Sequence, residues 1–523
     1  MKTTPILNLT PSEYADKLGK EYAASKSPEF KKQYGQYMTP VKVSNFMAAL
    51  FSSKTNKNEV KVLDPGAGTA VLGCAAIEYL ANSKTPPQSI NLIAYEIDLE
   101  IIPFLEKSLT YLKEWLQSKK IRFAYQIKSE DFILNNAQAL NGNHDLFNEA
   151  ETLEKFDYII CNPPYFKLSK SDPKAKLALS IIHGQPNIYS IFMAIAAKLL
   201  KDDGELVFIT PRSFAAGPYF RLFREKFFSS VCLNKVHLFV SRTDAFDKDE
   251  VLQENVIIKA VGGDSSDHKD KIVTVTSSMG IKDLDSASSR NVPLKDLIDF
   301  DSKNMVLRIP TTDQEDRVVE LVHSWKHNLH SLGLQISTGP VVAFRATEYL
   351  HDKESNGRKY VPLLWMQNVK AMSAKWPTEC RKEQYIEDSE RTKKLLVPNK
   401  NYVLLRRFSA KEENRRLVAA PYLSELVDAE QIGIENHLNY IYAPKSELTE
   451  EETVGLAVLL NSQLLDVYFR TSNGNTQVSA TELRDMPLPS MEIIRDIGKH
   501  VLRDRVENGR IDKLVEETLV MAA

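Results

Sequence analysis

Asn162-Pro163-Pro164-Tyr165 is the tetrapeptide whose residue types converge most clearly on one chemical task. Two consecutive prolines remove two backbone donors and stiffen the chain, which leaves the Asn162 side-chain oxygen and the Pro163 carbonyl as acceptors directed at one point. Acceptors bind an amino group. Hydrogen bonds drawn from an exocyclic NH2 localise its lone pair toward an electrophile, and Tyr165 offers a ring on which a base can stack. Neither task needs a metal or a shifted pKa. The plainer reading is a turn in which the prolines only stop a strand.

Three other stretches offer ligand contacts. Asp64 is followed by Pro65-Gly66-Ala67-Gly68-Thr69, where small residues let the backbone approach a ligand and a helix N-terminus presents free N–H groups. A dinucleotide fingerprint would place a third glycine at position 71, which is Val71, so the loop reads away from NAD. Glu96, with Asp98 as second choice, is suited to accept both hydroxyls of a ribose. In Ser129-Glu130-Asp131-Phe132, Asp131 can accept from an adenine amino group beside Phe132, an aromatic that covers the ring face. Each of these is weak alone, since a strand-to-helix turn or a surface charge accounts for it.

Their position in the chain gives them weight. Apolar runs of strand length, VKVLD (60–64), INLIAYEID (90–98), IRFAYQI (121–127), FDYIICN (156–162) and ELVFIT (205–210), alternate with helical stretches. Continuous apolar strands imply a sheet covered on both faces, and each candidate motif stands at a strand's carboxyl end, where doubly wound α/β folds bind ligands. The stretch PNIYSIFMAIAAKLL predicts a helix stopped by the glycine of LKDDG.

With 523 residues, the chain exceeds what one core usually holds, so two domains are expected. The content of 43% apolar and 26% charged residues excludes a disordered chain. No signal peptide or membrane span is legible, and a cytoplasmic protein is expected. The four cysteines form no CxxC pair, which points to no metal site, and the apolar context of Cys161 reads as a buried thiol. The net charge of −2 hides a regional excess: residues 341–420 hold 17 Lys and Arg against 10 Asp and Glu, either a polyanion-binding face or a solvated one. The polar, serine-rich stretch 266–300 reads as a linker between a domain at 1–265 and another at 301–523.

In this order the motifs resemble the gamma class of DNA adenine-N6 methyltransferases, with the size and C-terminal tail of Eco57I-like and BsuBI/PstI-type modification methylases. The segment 33–40, QYGQYMTP, is similar to that family's additional cofactor motif, GELVFITPRSF (204–214) to its next core strand, and FDKDEVLQENVII (246–258) to a later strand pair. The resemblance implies a Rossmann-like S-adenosylmethionine-dependent catalytic domain followed by a mixed α/β target-recognition domain. Thr39 and Pro40 would sit by the methionine moiety, Asp64 to Gly68 would form the cofactor loop, Glu96 would hold the ribose, and Asp131 and Phe132 the adenine. The implied activity is site-specific methylation of a flipped-out adenine in double-stranded DNA, by a monomer serving a type II restriction-modification system with a separate cognate endonuclease. RNA adenine or protein glutamine as substrate, and a fused restriction-modification enzyme, are the rival readings. Some members place an aromatic opposite the NPPY tyrosine after the last strand, where this chain has Lys259-Ala260. Phe239 and Phe246 are the candidates for that wall. Arg345, Lys393, Lys394, Arg406, Arg407, Arg415 and Arg416 are the candidates for contacting DNA.

Overall fold

The computed structural model describes residues 8–26, 38–54, 57–141, 153–182, 186–241, 254–300, 302–352, 359–379, 381–409, 413–473, 477–504 and 508–521. The chain divides into two compact units, Met1–Thr311 and Thr312–Ala523.

The first unit is built on nine strands, β1 (Glu59–Asp64), β2 (Ser89–Tyr95), β3 (Arg122–Lys128), β4 (Phe156–Cys161), β5 (Leu200–Pro211), β6 (Val231–Phe239), β7 (Asn255–Gly262), β8 (Ile272–Ser278) and β9 (Ser288–Pro293). They lie in the order β3-β2-β1-β4-β5-β7-β6-β8-β9. The first five are parallel and β7 is antiparallel to both β5 and β6. All six residues of β4 are buried, because helices cover both faces of the sheet. Leu105, Leu109 and Leu112 of the helix Ile102–Ser118 pack on one face with Val62 and Ile160. Ile191 and Ile195 of the helix Ile188–Leu199 pack on the other with Leu63 and Ile159. This is the expected doubly wound α/β architecture. The strand order reverses between β1 and β4, so a crevice opens beyond their carboxyl ends.

Two local expectations are corrected. Gly204 does not cap a helix: the helix ends at Leu199 and β5 begins at Leu200, with Gly204 inside the strand. A Cβ there would stand 2.9 Å from the Phe156 carbonyl oxygen, so glycine is required by the neighbouring strand. Residues 266–300 are not a linker. β8 runs parallel to β6 and β9 antiparallel to β8, which extends the sheet. The serines and threonines of this hairpin alternate with Val273, Val275 and Val292, which are buried, so a strand pair with one wet face looks in composition like a loop. The division falls after Thr311 instead.

The second unit combines a four-stranded antiparallel sheet (Gln335–Thr338, Leu438–Tyr442, Tyr402–Arg406, Ala419–Tyr422) with a five-stranded one and C-terminal helices. The helices Glu450–Asn461 and Met491–Asp504 cross in backbone contact. A Cβ on Gly455 would stand 1.9 Å from the Ile494 carbonyl oxygen, and one on Gly498 would stand 1.9 Å from that of Glu451. No helix among the described residues is long and apolar enough to cross a membrane.

Candidate active site

A cavity of about 730 Å3 lies beyond the carboxyl ends of β1 to β4 and is lined from all four. At the end of β1, Asp64 is fully buried, and its Oδ2 accepts from the Gly73 N–H at 3.2 Å, in the first turn of the helix Val71–Ala81. Its Oδ1 has no hydrogen-bond partner among the described residues. Burial pushes its carboxyl up to about 7; the Gly66 and Gly73 N–H groups oppose this and the charge of Glu96 adds to it. The loop that follows is tied across to β2, with the Ala67 N–H donating to the Tyr95 carbonyl at 2.9 Å and the Gly68 N–H to Glu96 Oε2 at 2.9 Å. Gly68 takes φ +54°, the left-handed region that favours glycine. Gly66 opens the cradle: a Cβ there would sit between the Asn162 carbonyl oxygen and the Phe192 ring, 3.9 Å from each.

Glu96 is nine-tenths buried and its carboxyl is raised, mainly by desolvation; Oε1 accepts from the Asp98 N–H at 2.9 Å. Asp98 lines the cavity too, but it accepts from the Tyr22 hydroxyl and, at 3.0 Å, from the Glu100 N–H. Asp131 caps the short helix Phe132–Asn135: Oδ1 accepts from Ile133 and Leu134 N–H groups at 2.9 and 3.0 Å, while Oδ2 pairs with Lys174 at 3.1 Å. Phe132 is buried, edge-on to Tyr95 and 5.0 Å from Phe192.

The NPPY segment closes the far side. Asn162 Nδ2 donates to Thr39 Oγ1 at 2.9 Å, and Asn162 Oδ1 accepts from the Tyr165 hydroxyl at 2.5 Å. That hydroxyl also reaches the Ile209 carbonyl at 3.1 Å, on β5. Of the tetrapeptide, Asn162 and Pro164 line the cavity, Pro163 is buried, and the Tyr165 ring packs toward Tyr189, edge-on with centroids 6.3 Å apart. Pro40 begins the helix Val41–Ala48, its carbonyl accepting from the Ser44 N–H at 3.0 Å; Met38 and Thr39, not Pro40, reach the cavity. The rest of the segment, residues 33–37, lies outside the described residues.

Sequence reasoning missed several lining residues. Ile97 and Leu99 are 58% and 70% exposed, apolar plates at the mouth beside Glu96, and a chain reading of YEIDL could have flagged apolar residues in a charged turn. Phe166, next to the tetrapeptide, was legible by adjacency, whereas Lys174 and Phe192 are brought in by packing alone. Of the proposed second aromatic wall, Phe239 is fully buried against His237 and so cannot face a ligand; Phe246 lies outside the described residues. Cys161 is buried, with its thiol pushed well above the ordinary range by desolvation. Among the described residues no group of three His, Cys, Asp or Glu is placed to hold a metal.

The basic stretch of the second unit is also sorted. Arg416 is fully buried over Phe469, and Arg415 pairs with Asp512 at 2.6 Å. Arg406 donates to the Val369 carbonyl at 2.7 Å and Arg407 to that of Asn436 at 3.0 Å. Arg345, Lys393 and Lys394 are exposed. Much of the regional charge thus holds this unit together, and Arg416 is removed from any surface role.

The Eco57I restriction-modification methylase family matches residues 90–246. The chain is 37% identical to the type II methyltransferase M.BsuBI of Bacillus subtilis over 94% of its own length and 95% of the relative's. To the type II methyltransferase M.PstI of Providencia stuartii it is 36% identical, over 93% and 92%. The type II methyltransferase M.AccI of Acinetobacter calcoaceticus matches more narrowly, at 24% over 46% of this chain and 39% of that one. Near-complete alignment at more than a third identity places the chain in the family of M.BsuBI and M.PstI, the Eco57I-type restriction-modification methylases.

Proposed function

We propose that this enzyme transfers the methyl group of S-adenosylmethionine to the exocyclic N6 of an adenine flipped out of duplex DNA, at a specific site, as the modification component of a type II restriction-modification system. The observation that carries the reading is the fixed carboxamide of Asn162, held between Thr39 and Tyr165 at the rim of a cavity that suits an adenosyl group.

The residues present fit that cofactor. Ile97, Leu99 and Phe132 line the cavity and offer apolar surface for a purine ring, and Glu96 retains lone pairs for a ribose diol beyond its two backbone bonds. Asp131 would take the adenine amino group, in competition with Lys174. Gly66 and Gly68 leave backbone surface for the methionine portion, and the buried carboxyl of Asp64 beneath them favours a cation. Once bound, the sulfonium supplies an electrophilic methyl group.

The protein's own part is positioning. An adenine inside a duplex cannot present N6 to a cavity, and extruding it costs a few kcal/mol. Asn162 Oδ1 would accept one N6 hydrogen and the Pro163 carbonyl the other, which turns the nitrogen lone pair toward the methyl group. Tyr165 can release Asn162, because its hydroxyl keeps the Ile209 carbonyl as a second acceptor. Its ring would then be available to the base. The N6 proton leaves after transfer, and no covalent enzyme intermediate is formed.

Radiolabelled methyl transfer to DNA, RNA and protein, followed by sequencing of modified DNA for N6-methyladenine and its flanking context, tests substrate, base and site together. Labelling of a single DNA context is expected. Labelling of RNA or protein in place of DNA, or of cytosine, overturns the reading.

A further inference from the structure

The second unit carries two aromatic–arginine pairs on its surface that no part of its core explains. Phe344 is 77% exposed, and the Arg345 guanidinium lies 5.3 Å from its ring centre. Phe408 is 37% exposed, with Arg407 at 5.7 Å and the half-exposed His437 ring edge-on at 5.2 Å. The backbone joins these pairs into one edge. Arg407 N–H donates to the His437 carbonyl at 2.9 Å, Arg407 Nη1 to that of Asn436 at 3.0 Å, and Asn436 N–H to that of Val341 at 2.9 Å, three residues before Phe344.

Charge marks the same edge. The segments 339–347 and 400–409 contain no acidic residue; the acids beside them are Glu348, at the end of the first, and the buried Glu435, which pairs with His437. Among the described residues the Arg345 side chain makes no ion pair or hydrogen bond. A phenylalanine this exposed is a poor use of apolar surface in a free protein and a good one where a partner covers it. A flat ring has few rotamers to lose on binding, and a guanidinium beside it neutralises a phosphate within reach of the ring. Stacked bases along a phosphate backbone present that combination of π-face and anion.

We infer that Phe344 and Arg345 form a wedge of the DNA-binding surface: Phe344 enters a base step of the duplex, Arg345 holds the flanking phosphate, and the Phe408 ring, held beside Arg407 and His437, extends the contact along the same strand. This deepens the proposed function and rests on duplex DNA being the substrate. It assigns the wedge to Phe344 and Arg345 and not to the arginines at 407, 415 and 416.

The test uses the full-length protein and a duplex holding the mapped methylation site, with affinity followed by fluorescence anisotropy across a salt series. Phe344→Ala should weaken binding about tenfold or more with the salt slope retained, as loss of a stacked ring does, and Phe344→Trp should restore it. Arg345→Ala should lower the slope of log affinity against log salt by about one. Cofactor binding and the melting temperature should not move, since both side chains are exposed. If Phe344→Ala and Arg345→Ala bind the site within about twofold of wild type at moderate salt, the wedge is wrong while the methylation reading stands. If the wild type transfers no methyl group to DNA, both fall together.

Discussion

Thr39 and Asn162, 123 residues apart in the chain, meet through a 2.9 Å hydrogen bond from Asn162 Nδ2 to Thr39 Oγ1. The bond fixes the orientation of the carboxamide: with the amino end engaged by Thr39, the oxygen is the accepting end, and here it accepts from the Tyr165 hydroxyl. Thr39 is itself buried, so the pair is shielded from water that would compete for either partner.

Asn162→Ala removes an acceptor aimed at the reacting nitrogen and should lower kcat by about 10²- to 10³-fold, the scale of losing one preorganised hydrogen bond at a reacting centre. Cofactor affinity, measured by calorimetry, should stay within a few-fold. Thr39→Val removes the Thr39 hydroxyl that holds the Asn162 amino group, at a cost of about 1–3 kcal/mol, and should lower kcat about tenfold, with Thr39→Ser restoring it. Near-normal turnover of Asn162→Ala would remove it from the chemistry.

The Asp64 carboxyl, raised by burial from an ordinary 3.8 to about 7, makes stability depend on pH. The folded protein holds this proton more tightly than the unfolded chain. The resulting stability is therefore present in full below about pH 4 and is lost as pH rises through about 7. Glu78, likewise raised by burial to about 7, acts in the same direction. The melting temperature of the ligand-free protein should fall between about pH 5 and 8, and Asp64→Asn should flatten that fall. A cationic ligand that favours ionised Asp64 should bind more tightly as pH rises over the same range, and a flat profile would argue against its sitting there.

Lys174 occupies the Asp131 oxygen that an adenine amino group would use. Asp131→Ala should weaken cofactor binding about tenfold, the loss of one charge-assisted hydrogen bond. Lys174→Ala should tighten it, because the acceptor is released. Weaker binding in Lys174→Ala would instead make the lysine a direct contact.

Gly455 and Gly498 let two helices of the second unit touch along their backbones. Gly498→Ala forces a Cβ to within 1.9 Å of the Glu451 carbonyl oxygen, and the helices must separate. A loss of about 3 kcal/mol or more is expected in denaturant unfolding of the intact chain, near the upper end of overpacking costs. An unchanged midpoint would contradict the close crossing.

The sequence by itself determined the elements whose information is local. The apolar runs mark strands whose carboxyl ends carry Asp64, Glu96, Asp131 and Asn162, because strand length, helix period and proline stops act over a few residues. What the tertiary structure decided is everything that depends on which distant surfaces meet. It joined Thr39 to Asn162, turned the Tyr165 hydroxyl to Ile209, and delivered Lys174 to Asp131. It also drew the serine-rich hairpin into the sheet and buried Arg416, two cases where composition misled. A serine on the wet face of a strand and an arginine packed inside a core have the same letters as a loop and a binding surface; only the neighbours that packing supplies tell them apart.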